Sequence, residues 1–263
     1  MENIKHKDLL NMLSNLQFPS SEDFNKLFLL TKKEGLVRDF LIVEIERKLR
    51  ETQVEFDYLA YPEWKDHDCV LLKKENDNTY IPTSLIELKY AKSPFILGRK
   101  DVRLNETARS HDSIWLENYT LKKEIDGKVS GVKKDLVKML STSEYIQSYG
   151  YSKPSIHQVI IITMTKSQIN KKLYSYIQPK FRKNADSFVI QNDFVNFKKQ
   201  LDMYQNNNDQ HITDIKGIIE TQFEIIHQQY FAEHQIETGF TSLPIGKAYG
   251  TEMELYFFVM SIE

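Results

Sequence analysis

The residues best suited to chemistry lie between Asp66 and Lys89. They read Asp-His-Asp-Cys-Val-Leu-Leu, then a polar turn, then Ser-Leu-Ile-Glu-Leu-Lys. Residues two apart on a strand share a face, so Glu87 and Lys89 project together while Leu88 points the other way. If the two strands pair as a hairpin, Asp68 sits beside Glu87. Two carboxylates make a site for a hard cation, and an adjacent ammonium stabilises charge developing on a phosphate. The pattern predicts metal-assisted cleavage of a phosphodiester. Asp66 is an alternative first acid, but Asp68 adjoins the apolar run more directly. His67 and His111 could contact phosphate, but read first as ordinary surface histidines. His227 and His234 are two helical turns apart, poor spacing for a shared metal.

Several elements must position these residues. A helix is expected from Leu36 to Gln53, with Leu36, Val37, Phe40, Leu41 and Val43 on a broad apolar face. Glu44 falls within that face. A buried carboxylate is costly unless it is paired or binds a metal, and both alternatives stand. Tyr58 to Trp64 is an aromatic approach to a first strand, Asp68 to Lys73. Lys74 to Asn78 reads as a turn, and Pro82 limits pairing before a second strand, Thr83 to Tyr90. Gly131 to Leu140 has helical spacing, and His157 to Thr165 is a buried strand by composition. The order helix, strand, strand, helix, strand predicts a mixed sheet with helices packed on it. Residues 1–34 look helical, with a cap at Ser20 or Ser21. Further on, the pattern predicts a helix at Ser167–Ile177, a short strand at Phe188–Ile190 and a loop at Gln205–Gln210. An amphipathic helix from Ile212 to Ile226 and a strand from Glu254 to Met260 complete the expectation.

The chain has 263 residues and 41% hydrophobic content, enough for a real core. Its single cysteine, Cys69, excludes an internal disulfide and a multi-cysteine zinc site, and reads as a small core residue. Met1 to Leu16 is polar, and no apolar run approaches the roughly 18 residues needed to span a bilayer. A soluble cytoplasmic protein with no membrane partner is therefore expected. The net charge of −2 hides an uneven distribution: residues 88–138 carry twelve positives and seven negatives, residues 166–200 eight and two, residues 201–263 two and ten. Local fields govern attraction of a polyanion. Lys92, Arg99, Lys100, Arg103 and Arg109 are candidates for contacts to a DNA backbone. Lys171, Lys172, Tyr174, Tyr176, Lys180, Arg182 and Lys183 mix cations with aromatics, as strand-binding surfaces do.

Asp68 followed by Glu87-Leu88-Lys89 resembles the signature of the PD-(D/E)XK nuclease superfamily. There the first acid opens a core strand and the (D/E)-x-K triplet lies on the next. Glu44 matches the acid that the preceding helix often carries in that family, and the helix around Asp135 and the strand His157–Thr165 fit its core order. The likeness covers about residues 36–165. No proline stands directly before Asp68, and the Gln-x-x-x-Tyr element of one branch is not evident after Lys89.

The resemblance implies an α/β fold: a restriction-endonuclease-like core, a central mixed β-sheet flanked by helices, with helical N-terminal and mixed C-terminal additions. Residues 1–35 would be an N-terminal helical extension and residues 36–165 the nuclease core, with an insertion at about 91–129. Residues 166–263 would complete the same domain or serve DNA binding or dimerisation. Asp68, Glu87 and the backbone carbonyl of Leu88 would hold Mg²⁺, with Mn²⁺ as a substitute. Glu44 would reach the metal directly or through a bound water. Lys89 would orient the attacking water and stabilise negative charge in the transition state, with a pKa lowered by the nearby metal ions and by partial desolvation. The implied activity is a Mg²⁺-dependent DNA endonuclease of a type II-like restriction or phage-defence setting. Homodimers would form, beside a cognate methyltransferase or another defence-system partner. Alternatives are an inert nucleic-acid-binding protein of the same fold, or a nuclease acting on RNA or branched DNA.

Overall fold

The computed structural model describes residues 3–30, 34–91, 131–165 and 208–262. Three strands open the sheet as an antiparallel meander: β1 (Tyr58–Trp64), β2 (His67–Asn76) and β3 (Thr79–Ala91). Helix α4 (Val132–Ser148) precedes β4 (Ser155–Thr165), which lies parallel to β3. The hairpin of β5 (Ile236–Ala248) and β6 (Thr251–Ile262) completes six strands in the order β1-β2-β3-β4-β6-β5. The protein is thus α/β with a mixed sheet flanked by helices, as the element order predicts.

Alternation along the strands separates two cores. One face carries Cys69, Leu71, Ile86, Leu88, Val159 and Phe257. It is covered by α1 (His6–Ser14), α2 (Glu22–Leu30) and α3 (Glu34–Glu51), through Leu9, Met12, Phe28, Val37, Leu41 and Ile45. The other face carries Val70, Leu72, Leu85, Ile160 and Phe258 under α4 and α5 (Asn208–Tyr230). Residues two apart on β2 and β3 therefore reach opposite cores from their immediate neighbours. Ser21 caps α2 by accepting the N–H of Phe24 at 3.1 Å. Among the described residues no helix is long and apolar enough to cross a membrane.

Both edge strands exceed what the sequence suggests. Tyr58–Trp64 is a strand, not merely an aromatic approach, and Ile236–Ala248 is another. An edge strand needs only one paired side, so Pro62 and Pro244 are tolerated there. Pro82 does not delay β3. It pairs with Leu72, and the register shifts between Leu71 and Leu72 to admit it. Helix α4 continues to Ser148, and α5 begins at Asn208, inside the expected Gln205–Gln210 loop. The elements expected at Ser167–Ile177 and Phe188–Ile190, and most of the 91–129 insertion, lie outside the described residues.

Candidate active site

The site begins where two strands part. Register pairs between β2 and β3 run from Asn76↔Thr79 to Cys69↔Ile86, whereas β3 continues along β4 as far as Ala91↔Ile162. Beyond Ile86, the β3 edge that faced β2 must find other partners for its backbone N–H groups. Carboxylates supply them. Leu88 N–H donates to Asp68 Oδ2 at 2.7 Å, and Tyr90 N–H donates to Glu34 Oε1 at 2.8 Å. A strand residue presents its N–H and C=O to the same edge, so the Leu88 carbonyl also faces this fork.

On the α4 side, Glu87 and Lys89 project together, as their spacing requires. Glu87 is buried; its Oε1 lies 2.8 Å from His67 Nδ1 and is ion-paired to Lys138. Lys89 Nζ lies 2.8 Å from Asp135 Oδ2. His67 Nε2 lies 2.9 Å from Thr142 Oγ1. An ionised carboxylate only accepts, which puts the ring proton on Nδ1 and lets Nε2 accept from the Thr142 hydroxyl. Asp135, Lys138 and Thr142 stand at i, i+3 and i+7, on one face of α4. That single face therefore meets Lys89, Glu87 and His67 in turn. Lys138 also donates to the Asp66 carbonyl at 2.6 Å, tying the helix to the β1–β2 turn.

His67 is fully buried, not the surface histidine its sequence position suggests. The α4 residues were not singled out by sequence either. Asp135, Lys138 and Thr142 share one face of a helix that also carries polar residues elsewhere, so nothing in the sequence set them apart. Gln158 is a further addition. It pairs with Glu87 across β3 and β4, and its Nε2 donates to the Glu87 carbonyl at 3.2 Å. Its Oε1 is buried without a hydrogen-bond partner among the described residues.

Burial dominates the electrostatics of the fork. Burial, and then the charge of Glu87, push the Asp68 carboxyl up to about 6, against the Leu88 N–H and Lys89. Burial likewise raises Asp135 above the usual carboxylate range, in spite of Lys89 and Lys138. Burial opposes the charge on Lys89, but Asp135, then Glu34 and Glu87, outweigh it and raise its pKa. Before any cation is bound, the surrounding acids therefore hold Lys89 as an ammonium. Four carboxylates (Asp68, Glu87, Asp135, Glu34) face two ammonium groups (Lys89, Lys138) at the fork.

Asp68, Glu87, Leu88 and Lys89 are brought together as the motif predicts. Glu44 is not brought to them. It is buried and gripped by Arg47, with Nε 2.8 Å from Oε2 and Nη2 2.6 Å from Oε1. It also lies roughly 15 Å along α3 from Glu34, the acid that does reach β3. Of the two alternatives for Glu44, the ion pair is the one present. Lys92, Arg99, Lys100, Arg103, Arg109, Lys171, Lys172 and Arg182 lie outside the described residues. Cys69 is a buried core residue, its thiol pushed up to about 12 by burial.

Among the described residues no group of three His, Cys, Asp or Glu side chains is arranged to hold a metal ion. Asp68, Glu87 and the Leu88 carbonyl are two side chains and a main-chain oxygen. That donor set fits Mg²⁺, which takes oxygen ligands and keeps several waters. The unpartnered Gln158 Oε1 beside Glu87 fits an acceptor for one such water. The chain matches no protein-family model, no curated protein and no solved structure.

Proposed function

We propose that the chain is a metal-dependent endonuclease that hydrolyses phosphodiester bonds in DNA. The observation that carries this reading is the fork itself. Asp68 is bonded to the N–H of Leu88, between Glu87 and Lys89, and burial together with the Glu87 charge raises its pKa. Perturbed acids gathered around a lysine favour a reactive site over a structural ion pair.

Asp68, Glu87 and the Leu88 carbonyl would hold the cation. When bound there, a divalent ion supplies a Lewis acid for the phosphate and acidifies a water. Lys89, kept protonated by Asp135, offers its ammonium to a non-bridging phosphate oxygen as negative charge develops. His67 fixes the rotamer of Glu87, and Thr142 fixes His67. Lys138 offsets the charge on Glu87 before the cation arrives.

The test is incubation of plasmid, linear duplex, single-stranded DNA and RNA with and without Mg²⁺. Metal-dependent cleavage of DNA is expected from the native protein. Its loss is expected in Asp68→Ala, Glu87→Ala and Lys89→Ala. Full activity in any of these variants, or no cleavage of any polymer, would overturn the reading.

A further inference from the structure

A continuous row of rings and cations leads from Glu87 to the protein surface. The Trp64 ring stacks on the His67 ring, with centroids 6.5 Å apart and planes 21° from parallel. Lys65 Nζ then sits 4.9 Å from the Trp64 ring centroid and 4.7 Å from that of Tyr145. Tyr145 meets Tyr149 edge-on at 5.1 Å, with their hydroxyls 3.2 Å apart. Both tyrosines face solvent, at 52% and 64% exposure. Along α4, Lys134, Lys138, Thr142, Tyr145 and Tyr149 fall within one stripe of less than a quarter turn. Lys138, within the stripe, is ion-paired to Glu87, and the far end of the stripe shows two largely exposed tyrosine rings.

The β1–β2 turn that carries Lys65 is strained. Trp64 pairs with His67, leaving a two-residue loop in which Lys65 has φ 47° and Asp66 φ 66°. Such turns favour Asn-Gly, and the β5–β6 hairpin has glycine at its second position, Tyr249-Gly250. Lys65 and Asp66 hold left-handed backbone without glycine's freedom, a pattern typical of functional segments. In return, Lys65 is held between two rings and the Asp66 carbonyl anchors Lys138.

We infer that this row is a stacking platform for a nucleic-acid strand whose bases are unpaired next to the bond being cut. The inference rests on the proposed phosphodiesterase reading and names its substrate class. A duplex buries its base faces and needs only phosphate contacts for positioning. Exposed rings interleaved with cations instead match the chemistry of single-strand grooves. Lys65 supplies the complementary charge, and Tyr145 and Tyr149 supply the flat surfaces.

The test is fluorescence anisotropy with Ca²⁺ and no Mg²⁺, using a labelled oligothymidylate of about 20 nucleotides and a duplex of the same length. The native protein is expected to bind the single strand more tightly. The double variant Tyr145→Ala/Tyr149→Ala should lose about tenfold or more on the single strand and little on the duplex. Tyr145→Phe/Tyr149→Phe, which keeps the rings and loses the hydroxyl contact, should bind as the native protein does. Circular dichroism confirms that each variant is folded. Preference for duplex, an alanine variant that binds like native, or Phe variants as weak as Ala would each overturn the platform. Cleavage measured on the same preparations separates the two readings. Loss of strand binding without any nuclease activity in the native protein upholds the platform and defeats the nuclease. Cleavage with unaltered binding in the alanine variant does the reverse.

Discussion

Asp68 accepts the N–H of Leu88 at 2.7 Å, finishing with a carboxylate the ladder that Cys69 and Ile86 close between β2 and β3. The same hydrogen bond holds Asp68 close to Glu87, where its charge is disfavoured. One contact thus both builds the fork and loads it electrostatically.

The load has a measurable sign. The folded-state pKa of Asp68 is about 6, above its ordinary 3.8. Its contribution to stability is therefore full below about 3.8 and lost as pH rises through 6. Asp68→Asn keeps an acceptor for Leu88 and removes the charge. It should stabilise the protein by about 2 kcal/mol at pH 8 and by little at pH 4, while abolishing cleavage. Urea denaturation at both pH values measures this. Equal stability of native and variant at pH 8 would show that burial and Glu87 place no net penalty on the Asp68 charge.

Lys138 stands where a cation on Glu87 would find competing charge. Lys138→Met keeps the aliphatic stem and removes the ammonium. Calorimetric titration with Mn²⁺ should then show tighter binding, by about fivefold, the worth of roughly 1 kcal/mol of partly exposed ion pairing. Weaker binding would mean that Lys138 supports the site rather than competing with its cation.

The sequence made the fork legible because its signals are local. Strand alternation puts Glu87 and Lys89 on one face, and an acid opening the neighbouring apolar run needs only a hairpin to meet them. The α4 contributions were not legible, since Asp135, Lys138 and Thr142 acquire meaning only when the helix lands across β3. Glu44 misled for a related reason. Its position on an apolar face marks a buried acid, but the partner three residues on, Arg47, satisfies it within the helix. Glu34, at the first turn of α3, reaches β3 because of where the helix docks. The edge strands were missed because one paired side imposes little on composition.

The Glu44–Arg47 pair leads to a stability prediction and not a catalytic one. Glu44→Gln should leave Mn²⁺ affinity unchanged. Arg47→Ala, by stranding a buried carboxylate, should destabilise the protein, by less than the loss of a fully buried pair because Arg47 is partly exposed. Thermal denaturation and metal titration on both variants check this. A large loss of metal affinity in Glu44→Gln would restore Glu44 to the site.

Asp135 holds Lys89 protonated, ahead of Glu34 and Glu87. Asp135→Asn removes the largest of these supports while burial remains, so the Lys89 pKa should fall. Since the proposed role needs the ammonium, the alkaline limb of the cleavage profile should move to lower pH. Asp135→Glu should restore it partly. A profile that keeps its alkaline limb with a uniform drop in rate would reduce Asp135 to a packing residue.

A second buried network lies beside Gln158, on the α1 side of β4, and titrates in the opposite sense. His157 is fully buried, with Nδ1 2.7 Å from Ser261 Oγ and Nε2 2.8 Å from the Ile4 carbonyl and 3.1 Å from Ser155 Oγ. His6 Nδ1 reaches the same Ser261 hydroxyl at 2.8 Å. Burial first, and then the charge of His6, lower the His157 pKa to about 4 against the help of the Ile4 carbonyl. The folded protein thus takes this proton less readily than the unfolded chain, whose value is 6.5. Stability from the neutral ring is full above 6.5 and lost as pH falls toward 4, up to about 3 kcal/mol. Asp68 gains stability over part of that range, so the native protein shows only the difference. The contributions separate in variants: Asp68→Asn should steepen the acid loss, whereas His157→Gln should flatten it. Urea denaturation from pH 7.5 to 4.5 reads both slopes. Identical slopes in His157→Gln and the native protein would mean that the buried ring is not what acid attacks.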